Sequence, residues 1–287
     1  MIKKSLSPMV AGAATALLAL LVFGSNAAAE IKLGILPRLG PVELFTMFNP
    51  LAEYLTKMTG EKVSIVIPRD FGAFKEAVRS GGIDIGFANP LIYIQLKKDT
   101  ALAPLAVSSE EESGTKFRGI LIVRADSGIE IIKDLRGKKL VFVDRDSAAG
   151  YLFQVMLLKK SEIDFQKDIT LLPFAKKQDN VAMAVFNRTA DAGGIREGDL
   201  GKMKDKVDLS KIKILGYTDY FPNWPVFASS ALPKETIRKI TTALLKLKSH
   251  DMESEKILAA AKLAGFAPVS DKEYDKLRKA ARLAGAL

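Results

Sequence analysis

A ten-residue unit occurs twice in this chain. Ala77-Val78-Arg79-Ser80-Gly81-Gly82-Ile83-Asp84-Ile85-Gly86 recurs as Ala184-Val185-Phe186-Asn187-Arg188-Thr189-Ala190-Asp191-Ala192-Gly193, with Ala, Val, Asp and Gly in register. Each copy reads as the end of an amphipathic helix, a tight turn and a short buried strand. A polar stretch that opens another helix comes after each, Phe87-Ala88-Asn89-Pro90 in the first and Gly194-Ile195-Arg196-Glu197 in the second. In open α/β sheets ligands sit at the carboxyl ends of strands, beside helix N-termini. One such unit in each half, with no catalytic motif in either, points to two similar lobes closing on a small molecule. The blander alternative is that both halves are simply α/β.

The rest of the chain repeats the same rhythm. Ile31–Leu36 is a strand stopped by Pro37-Arg38-Leu39-Gly40-Pro41, and a helix runs from Phe45 to Met58. Strand Lys62–Ile67, loop Arg69-Asp70-Phe71-Gly72 and a helix ending near Arg79 lead to strand Ile83–Phe87, helix Pro90–Lys98 and strand Leu102–Val107. After the polar run Ser108–Lys116, strands at Phe117–Arg124, Leu140–Val143, Ile169–Leu172, Ala190–Gly194 and Ile212–Thr218 alternate with helices Gly150–Lys160 and Gln178–Asn187. From Pro233 the pattern is helical to the end, with helices Glu235–Ser249, Glu253–Ala264 and Asp271–Leu283. This order implies mostly parallel sheets with helical crossovers. The expected organisation is residues 30–117 with 226–287 as one lobe and 118–225 as the other, joined by two crossings. Paired crossings are where hinge closure is absorbed.

Lys3 and Lys4 precede an apolar run that ends in Ala27-Ala28-Ala29, the pattern of a cleaved secretory leader over residues 1–29. The competing reading is a retained membrane anchor, because Ser5–Ala29 carries no charge and is long enough to span a bilayer. Cysteine is absent, which excludes disulfides, a thiol nucleophile and a lipidated cysteine. A freely diffusing periplasmic protein, monomeric, fits that composition. Cleavage would remove two positive charges, Lys3 and Lys4, and no acid, so the formal charge of +10 becomes +8. That balance favours anionic ligands, but the lysines are interleaved with acids, as in Lys202-Met203-Lys204-Asp205-Lys206, and read as solvated faces. No basic stripe with interleaved aromatics marks a nucleic-acid surface.

Catalytic chemistry finds little to work with. The one histidine, His250, sits in Lys248-Ser249-His250-Asp251 and reads as a solvated helix-terminal residue. Without cysteine, a transition-metal site has too few ligands, and no cofactor is expected. The pairs Asp144 with Asp146 and Glu197 with Asp199 lie in loops before helices, where acids cap more often than they catalyse. The stretch Asp144–Tyr151 joins a buried strand to a helix, so backbone N–H groups from Ala148 to Tyr151 are placed as free anion donors. Ser147 is either the cap of that helix or a hydroxyl for the ligand, and the two uses compete.

An ordered set of motifs then becomes specific. Phe87-Ala88-Asn89-Pro90-Leu91-Ile92-Tyr93, Asp126-Ser127-Gly128-Ile129, Asp134-Leu135-Arg136-Gly137-Lys138, Ser147-Ala148-Ala149-Gly150 and Gln178-Asp179 before Ala182-Met183-Ala184-Val185 resemble the phosphate/phosphite/phosphonate family of periplasmic solute-binding proteins of ABC transporters. The match runs to about Pro225. It implies an α/β, two-lobed type II binding fold, a small anionic solute held between the lobes, no enzymatic activity, and an ABC permease at the inner membrane as partner. A sensor kinase or chemoreceptor is the alternative partner. The departures fall in the pocket. Ser147-Ala148-Ala149-Gly150 stands where the family commonly has Ser-Thr-Ser-Gly, and Lys177-Gln178-Asp179 where it has Gly-His-Glu/Asp. Asn223-Trp224-Pro225 replaces a Gly-Asp-Pro that meets a ligand amine, and Ala88 replaces a Tyr. Weak binding of phosphate and 2-aminoethylphosphonate is therefore expected. The ligand-binding set expected is Arg38, Asp70, Phe71, Asn89, Tyr93, Ser147, Ala148, Ala149, Gly150, Gln178, Asp179, Arg196 and Trp224. Arg38, Arg69, Arg145 and Arg196 compete for the oxyanion, each with a surface ion pair as its alternative use.

Overall fold

The computed structural model describes residues 30–248 and 251–287. The leader or anchor reading of residues 1–29 and the solvated reading of His250 lie outside the described residues. The chain runs β1 (Ile31–Ile35), α1 (Pro41–Thr59), β2 (Val63–Val66), α2 (Phe71–Arg79), β3 (Ile85–Phe87), α3 (Pro90–Leu96), β4 (Leu102–Ser109) and β5 (Lys116–Phe117). It continues with β6 (Gly119–Arg124), β7 (Lys139–Val141), a π-helical turn (Ala148–Leu152) leading into α4 (Phe153–Lys160), β8 (Thr170–Leu171), α5 (Gln178–Phe186), β9 (Ala192–Arg196) and β10 (Ile212–Tyr217). Last come β11 (Phe221–Pro222), β12 (Pro225–Ser229), α6 (Lys234–Lys246), α7 (Met252–Ala261), β13 (Gly265–Ala267) and α8 (Asp275–Leu283).

Two sheets form, one ordered β13-β4-β12-β3-β1-β2 and the other β10-β6-β9-β7-β8, with β5 and β11 pairing in a short ribbon. Each sheet holds a parallel trio, β2-β1-β3 and β8-β7-β9, flanked by an antiparallel strand that arrives from the crossing, β12 and β6. The parallel arrangement expected from the alternation thus applies to the trios. Strands next to the crossing run the other way because the chain has just changed lobes. The helical reading of the C-terminal segment is corrected at Gly265–Ala267, which pairs antiparallel with β4. Three residues are too few for a period, and that strand exists only through its partner.

The duplicated unit is duplicated down to its hydrogen bonds. Asp84 Oδ2 accepts from the Lys32 N–H of β1 at 2.8 Å, and Asp191 Oδ2 accepts from the Lys139 N–H of β7 at 2.7 Å. The turn before each Asp needs a left-handed residue, supplied by Gly81 (φ 75°) in one copy and by Arg188 (φ 62°) in the other. Gly86 and Gly193 are required for space: a Cβ would meet the Phe227 ring at 2.3 Å in the first and Val181 at 2.5 Å in the second.

Strand periodicity divides the second lobe's core. On β6, Leu121 and Val123 face a cluster with Leu140, Phe142 and Tyr151, while Ile120 and Ile122 face the opposite cluster with Val141, Val181 and Val185. The first lobe has one large core around Phe48, Phe74, Leu91 and Phe227, and it takes in Ala148, Ala149, Leu152 and Phe153 from across the cleft. Phe153 stacks on Phe221 of the ribbon at 4.3 Å. Packing between lobes therefore converges on the first turn after Ser147. Among the described residues no helix is long and apolar enough to cross a membrane.

Candidate functional site

A cavity of about 280 Å³ opens between the lobes. Its walls come from Arg38, Glu43, Phe71 and Asn89 on one side, Phe117 and Trp224 at the ribbon, and Ser147–Ala149, Lys176–Asp179, Arg196, Asp199, Lys202 and Lys206 on the other. That volume is about nine water molecules' share of liquid, room for more than a bare tetrahedral anion.

The loop before the π turn is built as a cap. Ser147 Oγ accepts from the Gly150 N–H at 3.1 Å, which uses one of the four amides that a helix start leaves without intrahelical partners. Ala148 and Ala149 precede it and line the cavity. A hydroxyl has one donor and two lone pairs, so Ser147 can accept from Gly150 and still donate its O–H. Of the two competing uses expected, the structure shows the cap, and the cap leaves the hydroxyl proton free. Gln154, fully buried, ties this turn to the sheet by donating to the carbonyls of Ala149 (2.7 Å) and Ile120 (3.2 Å). Gly119 and Gly194 are the strand positions that leave it room, since a Cβ there would meet Gln154 at 2.3 Å and 2.5 Å.

Two guanidiniums face this turn in different states. Arg38, on the loop after β1, lies 5.6 Å over the Trp224 ring, and among the described residues its guanidinium makes no ion pair or hydrogen bond. Enclosure by protein pushes its pKa below the usual range; Asp199, Glu110 and Glu43 oppose that shift and Arg196 adds to it. An arginine keeps its proton regardless. Arg196, at the end of β9, is 7% exposed and is bound by Glu110 through Nη2, with its guanidinium carbon 5.0 Å over Phe117. Burial works against ionisation of Asp199, but Arg196, Lys202 and Arg38 outweigh it and hold its carboxyl below the ordinary range.

The remaining basic groups on the cavity are mostly engaged: Lys176 with Asp144 at 2.9 Å, Lys202 with Asp199 at 2.9 Å, Lys206 with Asp179, and Lys262 with Glu43 at 4.0 Å. Lys177 and Arg38 have no acidic partner among the described residues. Gln178 Oε1 accepts from the Arg196 backbone N–H at 3.0 Å, which leaves its Nε2 as the donor on this wall. Asn89 caps α3 by accepting from Leu91 and Ile92, and its Nδ2 donates across the cleft to the Asp146 carbonyl at 3.1 Å. Asp146 is also bound by Lys75 at 2.6 Å and Gln95 at 3.0 Å, so this loop is fastened to the opposite lobe.

Of the residues expected in the site, Arg38, Phe71, Asn89, Ser147, Ala148, Ala149, Gln178, Asp179, Arg196 and Trp224 line this one cavity. Three are placed elsewhere. Tyr93 is fully buried, donates to Asp271 at 2.5 Å and packs on Phe227 and Tyr274, with burial and the neighbouring carboxylate pushing its phenol up. Asp70 caps α2 by accepting from the Ala73 N–H and pairs with Arg69 on the surface. Gly150 packs beneath Val143, where a Cβ would lie 2.4 Å from that side chain. Arg145 is exposed and off the cavity. Lys202 and Lys206, read as a solvated face, are exposed and also line the cavity; their four-residue spacing was the available signal for that second position. Glu43, Lys176, Asp199 and the structural Gln154 carried none.

Two α/β lobes, a paired crossing and a cavity between them define the type II binding-protein fold. Residues 33–274 match the family described as ABC transporter, phosphonate, periplasmic substrate-binding protein, and the chain belongs to it. It is 29% identical over 277 residues to the phosphate-import protein PhnD of Mycolicibacterium smegmatis (89% of this chain, 86% of that protein). It is 25% identical over 268 residues to the tetrathionate sensor histidine kinase TtrS of Salmonella typhimurium (88% of this chain), of whose length the match spans 43%. Among solved structures, PhnD1 of Prochlorococcus marinus in complex with methylphosphonate superposes with a TM-score of 0.80 at 16% identity, covering 90% of this chain and 99% of that one.

Proposed function

We propose that the protein captures a phosphonate- or carboxylate-bearing solute between its lobes in the periplasm and delivers it to an ABC permease. The observation that carries this reading is the Arg38 guanidinium, unpaired among the described residues and facing the Ala148–Ala149 turn across a cavity walled by Phe71, Phe117 and Trp224. The head group of the solute takes the backbone amides, the Ser147 O–H and Arg38. Its body lies against the aromatic wall. Two family hydroxyls and a histidine are absent from this wall, so bare phosphate and 2-aminoethylphosphonate bind weakly. The names of the mycobacterial phosphate importer and of the methylphosphonate complex support the ligand class. Export with cleavage before Glu30 supplies the location.

Calorimetry on refolded protein with methylphosphonate, phosphate, phosphonoacetate and 2-aminoethylphosphonate tests the reading. A charge-assisted bond is worth about 1.5–3 kcal/mol, so Arg38→Ala lowers affinity for the tightest of these by roughly 10- to 150-fold. Unchanged affinity in that variant would sink the assignment. Lobe closure on the same ligand shrinks the radius of gyration in small-angle scattering.

A second reading is supported by the match to part of a sensor histidine kinase. There the closed form contacts a signalling receptor. Pull-down of the ligand-loaded protein from membranes separates the two by which partner is retained.

A further inference from the structure

Behind the Trp224 indole lies a second, smaller void of about 20 Å³, roughly the room one water-sized atom requires. It shares Arg38, Arg196, Lys202, Trp224 and Lys262 with the main cavity and adds Ser108, Glu110 and Asn223. Four of its lining side chains carry a buried polar atom with no partner among the described residues: Ser108 Oγ, Arg196 Nε, Asn223 Nδ2 and Trp224 Nε1. All four residues are more than nine-tenths buried. The amide orientation of Asn223 is fixed by its neighbours, because Oδ1 accepts from the Trp224 N–H at 2.9 Å and from Arg196 Nη2 at 3.4 Å, which leaves Nδ2 as the free end.

Three of the four atoms can only donate, and the hydroxyl can do either. A water has two lone pairs, so it would leave at least one buried N–H unmatched at a cost of about 1–3 kcal/mol. A halide, with four lone pairs, can accept from all of them, and an anionic oxygen, though limited like water to about two, makes charge-assisted bonds roughly twice as strong as neutral ones. The Glu110 carboxylate nearby is already bound by Arg196, and among the described residues Arg38 is the uncompensated charge at the void.

We propose that this void is an anion subsite, which takes one anionic acceptor atom: a free halide, or an oxygen of a second acidic group on the captured solute that reaches past Trp224. The solute source rests on the capture reading above, whereas the halide source stands without it. Selectivity is a direct result, because an ammonium group at that end meets three N–H groups that can only donate and the positive charge of Arg38.

Crystals grown in bromide, without solute and with phosphonoacetate, decide it. A bromide anomalous peak within hydrogen-bond reach of Trp224 Nε1 and Asn223 Nδ2 in solute-free protein establishes the halide source. A phosphonoacetate carboxylate oxygen at the same place, with bromide displaced, establishes the solute source, and Kd for phosphonoacetate then depends on halide concentration while that for methylphosphonate does not. Asn223→Asp keeps the two bonds that Oδ1 accepts and replaces the free donor by a carboxylate oxygen; with melting temperature as the folding control, it empties the site in either crystal and weakens phosphonoacetate roughly tenfold. Water or nothing in the void in both crystals overturns the proposal, as does an anion that persists in Asn223→Asp. Failure of phosphonoacetate to bind at all leaves the bromide crystal to decide the subsite.

Discussion

In the first copy of the repeated unit, the strand ends at Phe87 and passes the chain to Asn89, whose side chain caps α3 and grips the Asp146 carbonyl of the other lobe. In the second copy the strand runs on to Arg196, whose buried guanidinium lies on Phe117 and is bound by Glu110 of the other lobe. The backbone between Val78 and Gly86 and that between Val185 and Gly193 are nearly interchangeable. The residues beyond each strand are not. A helix–turn–strand unit needs the buried Val, the Asp that ties it to the neighbouring strand, and the Gly that lets a side chain approach; the residue just past the strand is free to specialise. One lobe uses it as a cap, the other as a cation.

The largest way to break this comparison is Arg196→Ala. It strands Glu110 with little water and should cost about 2–3 kcal/mol, less than the full loss for a buried pair because Glu110 is partly exposed. Adding Glu110→Gln should recover more than half, read by denaturant titration; no recovery would mean the pair is not what holds this end of β9. The same variant alters the acid limb. The folded Asp199 carboxyl is depressed, so its contribution is full above about pH 4 and is lost as pH falls below that. Without Arg196 the contribution should be smaller and its loss, starting at the same pH, should be complete at a higher pH.

Asn89→Ala comes next. Two capping bonds and the cross-lobe bond go together, for about 1–2 kcal/mol, and the free protein should also become less compact in scattering. Asp84→Ala and Asp191→Ala sharpen the equivalence of the copies: about 2 kcal/mol is expected for the more enclosed Asp84 and about 1 kcal/mol for Asp191, with equal values or a reversed order arguing against burial as the difference. The smallest effect is at the turn, where Arg188→Gly places in the second copy the residue the first already has. Relief of the left-handed strain should raise the melting temperature on the order of 1–2 °C.

How far the sequence disclosed all this depended on range. The repeated unit, the strands and the loops at their carboxyl ends were legible because turn, glycine and alternation are local signals, and so the residues on those loops were found. Tyr93 was misplaced because α3 is apolar on nearly every side and so gives no sign of which face is buried, and the partner that takes its hydroxyl, Asp271, lies 178 residues on. Lys202 and Lys206 look like any solvated charged stretch until β9 and the turns after it carry them to the cavity. The strand at Gly265–Ala267 exists only against β4. Gln154 is one polar letter in a helix, and its meaning depends on three carbonyls from three different elements.

The distribution of charge around the cavity has a kinetic consequence. Most of its lysines are answered by their own acids at contact distance, so seen from solution they largely cancel, while Arg38 and Lys177 project an uncancelled field through the mouth. Beyond about 10 Å that field is screened at 0.1 M salt. Ionic strength should therefore slow the arrival of the solute while leaving its departure, which is governed by short contacts inside closed lobes, almost untouched. A cell in dilute surroundings would fill this protein faster without holding its cargo any longer.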